Sequence, residues 1–116
     1  MRGRIIAIDF DNTLHMGPSR MFPYTATKYA NLGLIEMLVS NKKTHPEDKY
    51  ILWTCRETEL EIDQAVKFCD KFGLKFDAIN DNVYKQFGYT RKVIADIYID
   101  DRAISVKDLN ALRAAF

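Results

Sequence analysis

The chain has 116 residues, of which 28% are charged and 47% are hydrophobic, and its formal net charge is +1 at pH 7. These values predict one globular domain over residues 1–116 and argue against a strong electrostatic surface for nucleic acid or anionic membrane. No apolar run reaches the roughly 18 residues that a membrane-spanning helix needs. The two cysteines lack metal-binding spacing, and because no export signal is evident we expect reduced thiols and a cytoplasmic location.

Predicted strands and helices alternate through the first half of the chain. Residues 4–10 form a short apolar run rich in Ile, which predicts a buried strand. Turn-forming residues make the following 14–28 segment irregular. A helix is expected to begin between Tyr29 and Asn31, and residues 50–54 predict a second strand of β-branched and aromatic type.

The alternation continues through the second half. Apolar residues fall at helical spacing over residues 62–72, and Gly73 is expected to end that helix. Residues 76–79 predict a third, shorter strand, after which residues 80–82 either rim a site or make a turn. Residues 94–99 predict a fourth strand that runs into paired acidic residues.

A last helix is expected over about residues 105–115, with Ser105 as its N-cap. Alternating strands and helices with apolar strands imply an α/β fold in which a parallel sheet lies between two layers of helices. In such sheets the functional residues collect at the carboxyl ends of the strands, beside the point where the strand order reverses. The polar residues at the strand ends should therefore form a single site.

Acidic and hydroxyl side chains do follow the predicted strands. The first strand runs into Asp9-Phe10-Asp11-Asn12-Thr13, the second ends at Thr54 and the fourth ends at Asp100-Asp101. Two carboxylates about 4 Å apart repel by roughly 4 kcal/mol at an effective dielectric constant of 20, a large part of a fold's net stability. The cluster should therefore carry protons or bind a cation, and of the two we favour a cation, for which oxygen ligands of this kind suit Mg²⁺.

The spacing of Asp9 and Asp11 carries further information. Because the chain turns at a strand end, Asp9 can project into the site as a nucleophile while Asp11 reaches over the leaving group. A carboxylate nucleophile beside a metal, with a second carboxyl group acting as acid and then as base, is sufficient for phosphoryl transfer.

These strand-end motifs resemble those of the haloacid dehalogenase superfamily. Asp9–Thr13 is similar to its first motif, an Asp-x-Asp-x-Thr that ends the first strand. Residues 51–54 resemble the second motif, an apolar strand ending in Thr or Ser, and residues 97–101 resemble the fourth, an apolar strand ending in paired acids. The third motif is a Lys ahead of that strand, for which Lys92 is the preferred candidate and Lys85 the alternative.

The resemblance implies a Rossmann-like fold with four or five parallel strands and no cap domain. Larger members carry a cap, but only about 40 residues separate Thr13 from Thr54 here, and most of them are needed for one helix and its connections. Residues 14–28 remain as a flap, in which His15 and Arg20 either contact the substrate or only build the loop. Open sites in this superfamily often serve bulky or macromolecular phosphates, or borrow a lid from a neighbouring subunit.

The resemblance also implies catalytic roles. Asp9 attacks phosphorus and forms an aspartyl-phosphate, and Asp11 protonates the leaving oxygen and then activates the hydrolytic water. Thr54 donates a hydrogen bond to the phosphoryl group, and Lys92 neutralises the charge on that group and on Asp9.

The metal ligands and substrate contacts follow from the same motifs. The implied ligands of Mg²⁺ are Asp9, the backbone carbonyl of Asp11 and Asp100, with Asp101 beside them. The residues expected at the substrate are Asn12, Thr54 and Arg56. Arg56 either clamps a substrate anion with its planar fork or is a charge partner for the N-terminal end of the next helix.

The leading functional interpretation is Mg²⁺-dependent hydrolysis of a phosphomonoester, such as a nucleotide, a sugar phosphate or a phosphorylated polymer end. One alternative is a phosphoacceptor signalling domain of the response-regulator type, in which the paired acids lie on the first strand. Here the pair comes last, at Asp100-Asp101, and the additional acid Asp11 favours turnover over a lasting phosphoryl mark. A second alternative is a non-catalytic binding domain with this fold, against which the intact set of acids argues.

Overall fold

The structure is a computed structural model that describes residues 3–17 and 25–116. At its centre lies a sheet of four parallel strands. The strands are β1 (Ile5–Ile8), β2 (Lys49–Leu52), β3 (Ala78–Ile79) and β4 (Ile97–Ile99). Their order in the sheet is β3-β2-β1-β4, so the chain moves outward from β1 to one edge and then pairs β4 with the other side of β1. The strand order reverses at β1, and the predicted α/β fold with a parallel sheet is confirmed.

The α-helices in the described residues are α1 (Leu32–Thr44), α2 (Glu59–Asp70) and α3 (Leu109–Ala115). Each helix begins at a side chain that accepts a hydrogen bond from a backbone N–H three residues later; these caps are Asn31, Thr58 and Asp108. The cap at Asp108 starts α3 later than the predicted Ser105, whose hydroxyl accepts from the Lys107 N–H instead. Gly73 has a φ of 79° and ends the turn after α2, as predicted.

Helices α1 and α2 cover one face of the sheet. Successive side chains of a strand point to opposite faces, and Ile6 and Ile8 of β1 point to this one. They pack with Ile35 and Leu38 of α1 and with Phe68 of α2, all of which are buried. The apolar faces predicted for these two helices therefore build the larger part of the core.

The irregular segment between β3 and β4 covers the opposite face. Ile5 and Ala7 of β1 pack there with Ile51 of β2 and with Val93 of this segment. The segment holds a single turn of 3₁₀-helix, Lys85–Phe87, so this layer is a loop rather than the predicted layer of helices. Over residues 3–17 and 25–116 there is no cap domain, and no helix is long and apolar enough to cross a membrane.

A buried carboxylate, Asp48, ties the amino end of β1 to helix α1. Asp48 is 1% exposed and accepts hydrogen bonds from the Arg4 N–H and the Arg4 guanidinium, both at 2.9 Å, and from the Asn41 amide at 3.0 Å. Burial alone would raise the pKa of Asp48, but these donors outweigh it and lower the pKa to about 2. The ionised carboxylate therefore stabilises the fold.

We expect Asp48→Ala to lower the free energy of unfolding by about 1–3 kcal/mol, because it removes the buried acceptor that joins the Arg4 N–H and guanidinium to the Asn41 amide. Urea denaturation followed by the fluorescence of the single tryptophan, Trp53, measures the change. Asp63→Ala is the matched control, since Asp63 forms only an exposed pair with Lys67 on α2 and should change stability by less than about 0.5 kcal/mol. Equal effects of the two substitutions would contradict the role given to Asp48.

The stability contributed by Asp48 should depend on pH with a definite sign. The pKa is lowered from 3.8 to about 2 on folding, so on acidification the unfolded chain takes up the proton first. The contribution is complete above about pH 4 and is lost as the pH falls through about 2. The stability difference between wild type and Asp48→Asn should therefore shrink over this range and stay constant above it, which urea titrations at a series of pH values can show.

Candidate active site

The candidate site lies at the carboxyl ends of β1 and its two neighbours. Ile8 of β1 is level with Leu52 of β2 and with Ile99 of β4. The ladder of hydrogen bonds continues one step past these strands, since the Asp9 N–H donates to the Ile99 carbonyl and the Trp53 N–H to the Ile8 carbonyl, both at 2.9 Å. The residues that follow the three strands are thereby held in line at the reversal point of the sheet.

A tight turn after β1 brings Asp9 and Asp11 to this edge. The carbonyl of Phe10 accepts from the N–H groups of the three residues at 13–15, at 3.2, 2.9 and 3.1 Å. Asn12 takes a left-handed conformation with a φ of 63°, which Asn tolerates better than most residues. The Phe10 ring is fully buried and meets Phe68 of α2 edge-on, with the ring centroids 5.5 Å apart, so the turn is anchored in the core.

Three of the predicted acids form a compact cluster. Carboxylate oxygens of Asp9, Asp100 and Asp101 all lie within 4.8 Å of one another, and the Thr13 hydroxyl donates to Asp9 Oδ2 at 3.0 Å. Burial raises the pKa of Asp9 to about 7, partly offset by the hydrogen bond from Thr13. The neighbouring Asp101 and Asp100 also act to raise it. A set of carboxylate oxygens this close suits a hard divalent cation, so these side chains fit the Mg²⁺ that the sequence predicts.

Asp11 lies on the same edge but has a different partner. Its Oδ2 accepts from Arg56 Nε at 3.0 Å and its Oδ1 from Arg56 Nη2 at 2.8 Å, a two-point pair. Arg56 Nη1 donates to the Glu61 carbonyl at 3.1 Å, and the guanidinium carbon lies 4.7 Å from the centroid of the Phe10 ring. The main side-chain partner of Arg56 is therefore Asp11, which neither sequence interpretation named, and the contact with Glu61 also joins Arg56 to the first turn of α2.

Thr54 is positioned by backbone contacts at the end of β2. Its hydroxyl oxygen accepts from the Arg56 N–H at 3.2 Å, and its own N–H donates to the side chain of Asn80 at 2.8 Å. Asn80 has a φ of 51° directly after β3. The sequence allowed residues 80–82 either to rim a site or to make a turn. Asn80 makes a turn, and its side chain also holds the loop that carries Thr54.

The acids and Arg56 surround an open pocket of about 600 Å³. The predicted residues that line it are Asp9, Asp11, Asn12, Arg56, Asp100 and Asp101. Four residues that the sequence did not single out for this site complete the lining: Cys55, Glu57, Glu61 and Arg102. Cys55 is exposed, and Arg102 could have been suspected because it directly follows the paired acids. Thr54 adjoins the pocket without being part of its lining.

Neither candidate lysine is among the residues that line this pocket. The Lys92 ammonium sits 4.8 Å from the centroid of the Tyr98 ring, and Lys85 lies on the exposed 3₁₀ turn. The cations that the structure places in the pocket lining are Arg56 and Arg102.

The start of the predicted flap is part of the core. His15 is fully buried, its ring stacks on Phe10 with the centroids 5.6 Å apart, and it meets Tyr29 at an angle. This supports the loop-building interpretation of His15 over substrate contact. Arg20 lies outside the described residues.

No protein-family model and no curated protein matches the chain. Among solved structures, a conserved protein from Bacteroides thetaiotaomicron is similar, with 32% sequence identity and a TM-score of 0.71. The similarity covers 89% of this chain and 79% of the Bacteroides chain. With this identity over most of both proteins, the chain belongs to the family of that conserved Bacteroides protein.

Proposed function

We propose that the chain is a divalent-metal-dependent phosphomonoester hydrolase that acts through an aspartyl-phosphate on Asp9. One observation carries the proposal: carboxylates from the ends of β1 and β4 converge within 4.8 Å at the reversal point of the sheet, beside a further acid, Asp11, in the same pocket. A purely structural role does not account for this cluster, because gathered carboxylates repel one another and lower stability.

The residues that would hold the metal are Asp9, Asp100 and Asp101, with the backbone carbonyl of Asp11 as a further ligand on the resemblance. A bound Mg²⁺ would offset the repulsion between the carboxylates and a phosphate dianion and would polarise the phosphoryl group. The Arg102 N–H donates to Asp100 Oδ1 at 3.0 Å and so holds one oxygen of that carboxylate.

The chain's own residues would divide the chemistry as follows. The Thr13 hydroxyl binds one oxygen of Asp9 and leaves the other to attack phosphorus, forming an O–P bond as the bond to the leaving oxygen breaks. Asp11 takes up a proton from solvent before this step and gives it to that leaving oxygen, which departs as a hydroxyl group. It then takes a proton from the water that attacks the aspartyl-phosphate, so that phosphate is released and Asp9 is regenerated. The Thr54 O–H, whose oxygen already accepts from Arg56, is left to donate to the phosphoryl group.

The substrate remains a class rather than a compound. The pocket is open, and the described residues provide no cap over it. We therefore propose a small or polymer-end phosphomonoester in a cytoplasmic setting, with a lid from a second subunit as the alternative to a permanently open site. A role for Lys92 in this chemistry stays a prediction of the resemblance.

Replacing Asp9 by Asn should abolish turnover, because an amide oxygen is a far weaker nucleophile than a carboxylate. Phosphate release from a panel of phosphomonoesters in the presence of Mg²⁺ should fall by about 1,000-fold or more. Asp81→Asn, an exposed acid outside the pocket, is the matched control and should keep wild-type activity. Wild-type rates from Asp9→Asn would contradict the assignment of the nucleophile, and a folded wild type that is inactive on every ester would favour a binding role.

Mg²⁺ should stabilise the folded protein through the same cluster. At a hundredfold excess over Kd the ion adds about 2.7 kcal/mol, which corresponds to a rise in Tm of roughly 10 °C. Asp100→Asn should have opposite effects on the Tm without metal and on the increase in Tm that Mg²⁺ produces. It should raise Tm without metal, since it removes repulsion, and reduce the increase that Mg²⁺ produces. Thermal unfolding with Mg²⁺ and with a chelator tests this, and an identical Mg²⁺ shift in Asp100→Asn would contradict the metal site.

A further inference from the structure

We propose that the leaving group of the substrate carries both an ammonium and a carboxylate group, and that Glu57 and Arg102 recognise these two groups. The substrate class is then the phosphomonoester of a small hydroxy amino acid. This inference rests on the proposed function and narrows its substrate class. It is carried by two charged side chains of the pocket lining that lie outside the acid cluster and have little or no internal partner.

Other charged side chains of the lining are already committed. Arg56 donates from Nε and Nη2 to Asp11 and from Nη1 to the Glu61 carbonyl. The Glu61 carboxylate accepts from the Thr58 hydroxyl at 2.8 Å, and the Glu61 N–H donates to the oxygen of that hydroxyl at 3.1 Å. Glu61 therefore completes the cap of helix α2. The three acids of the cluster are the proposed ligands of the cation, so none of these groups is left to recognise a leaving group.

Glu57 keeps a free carboxylate at the edge of the pocket. The residue is exposed and lines the pocket, and within the described part of the chain its side chain has neither a hydrogen bond nor an ion pair. It directly precedes Thr58, the N-cap of α2, so its backbone adjoins a regular element. A carboxylate in this position attracts an ammonium group that enters the pocket.

Arg102 supplies the opposite charge. Its N–H donates to Asp100 Oδ1 at 3.0 Å, which holds its backbone next to the cluster, whereas its side chain is 83% exposed. The ion pair that its guanidinium forms is with Asp101, and there Nε lies 3.8 Å from Oδ2. An exposed contact of that length adds little stability. The planar guanidinium is therefore available to bind a carboxylate through two hydrogen bonds.

The two residues reach the pocket from opposite sides. Glu57 follows β2 and Arg102 follows β4, and these strands flank β1, which runs into Asp9. Two strand spacings amount to about 10 Å, a distance that the long side chains of Glu and Arg can close from both sides. In an in-line displacement the leaving oxygen lies on the far side of phosphorus from the attacking carboxylate. The leaving group therefore points away from Asp9, toward the exposed rim that carries Glu57 and Arg102.

The charge of the pocket favours the same class of leaving group. The lining is rich in carboxylates, so a leaving group with a net negative charge would add to the repulsion of the phosphate dianion. An ammonium and a carboxylate group on one short chain sum to zero, and each would lie beside a charge of the opposite sign. Nucleoside diphosphates and the ends of phosphorylated polymers carry additional negative charge and are disfavoured.

The experiment measures kcat/KM on four primary alkyl phosphates at one ionic strength, with Mg²⁺ present. O-phosphoserine carries both charged groups, O-phosphoethanolamine only the ammonium, 3-phosphonooxypropionate only the carboxylate, and propyl phosphate neither. We expect wild type to prefer O-phosphoserine to propyl phosphate by about 10-fold or more. Each variant is compared with wild type on the same four esters, so differences in their intrinsic reactivity cancel.

Two variants should show complementary selectivity. Glu57→Gln should lower kcat/KM by about 5-fold more on the two esters with an ammonium group than on the two without it. Arg102→Gln should have the corresponding effect on the two esters with a carboxylate. Asp81→Asn, an exposed acid outside the pocket, is the matched control and should keep all the wild-type ratios.

The outcomes separate this inference from the proposed function. If either Glu57→Gln or Arg102→Gln changes all four esters by the same factor, that residue acts on stability or on the pocket in general, and the inference is overturned while the function stands. A wild type that hydrolyses propyl phosphate as well as O-phosphoserine has the same consequence. A folded wild type without turnover that depends on Asp9 on any ester would overturn both.

Discussion

Strand β1 is hydrogen-bonded along both edges and buried on both faces, and the geometry of the site depends on that constraint. With β2 on one side and β4 on the other, the carboxyl end of β1 brings the residues after three strands together at the point where the strand order reverses. The Asp9 N–H, bonded to the Ile99 carbonyl, sets Asp9 beside Asp100. The proximity of these carboxylates is a consequence of strand register, which the buried faces of β1 fix.

The two ends of the sheet handle buried charge differently. At the amino end, the carboxylate of Asp48 is satisfied by Arg4 and Asn41, and it contributes stability. At the carboxyl end, Asp11 is paired with Arg56 in a similar way. The cluster of Asp9, Asp100 and Asp101 is not compensated to the same degree, and the pKa of Asp9 is raised in consequence. Charge left uncompensated within an otherwise satisfied structure is typical of a functional site.

The sequence was sufficient for those parts of the structure that depend on periodicity and strand order. The four strands, the helices α1 and α2, and the convergence of Asp9, Asp11, Asp100 and Asp101 on one pocket follow from apolar runs and strand-end acids. Strand β4 begins at Ile97 rather than at residue 94, because the Asp96 side chain accepts from the Ile5 N–H where a strand carbonyl would otherwise do so. Such a substitution of a side chain for backbone is not visible in a hydrophobic pattern.

The partner of Arg56 and the position of Lys92 could not be predicted for a related reason. Both depend on the path of irregular chain: the loop after β2 turns Arg56 back onto Asp11, and the segment between β3 and β4 crosses a face of the sheet without a helix. A motif defined by residue type and order carries no information on such paths. The third motif has the loosest spacing, and neither of its candidate residues is among those that line the pocket.

The charge of the pocket sets a condition on any phosphate substrate. Six carboxyl side chains and two arginines line it, and Asp11 already balances Arg56. The remaining arginine, Arg102, is 83% exposed at its side chain and lies 3.8 Å from Asp101, so it attracts a dianion only weakly. A phosphate dianion would therefore be repelled from the pocket of the protein alone. On the proposed function, a divalent cation among Asp9, Asp100 and Asp101 is required for substrate binding as well as for chemistry, so the metal must bind before the phosphate or together with it.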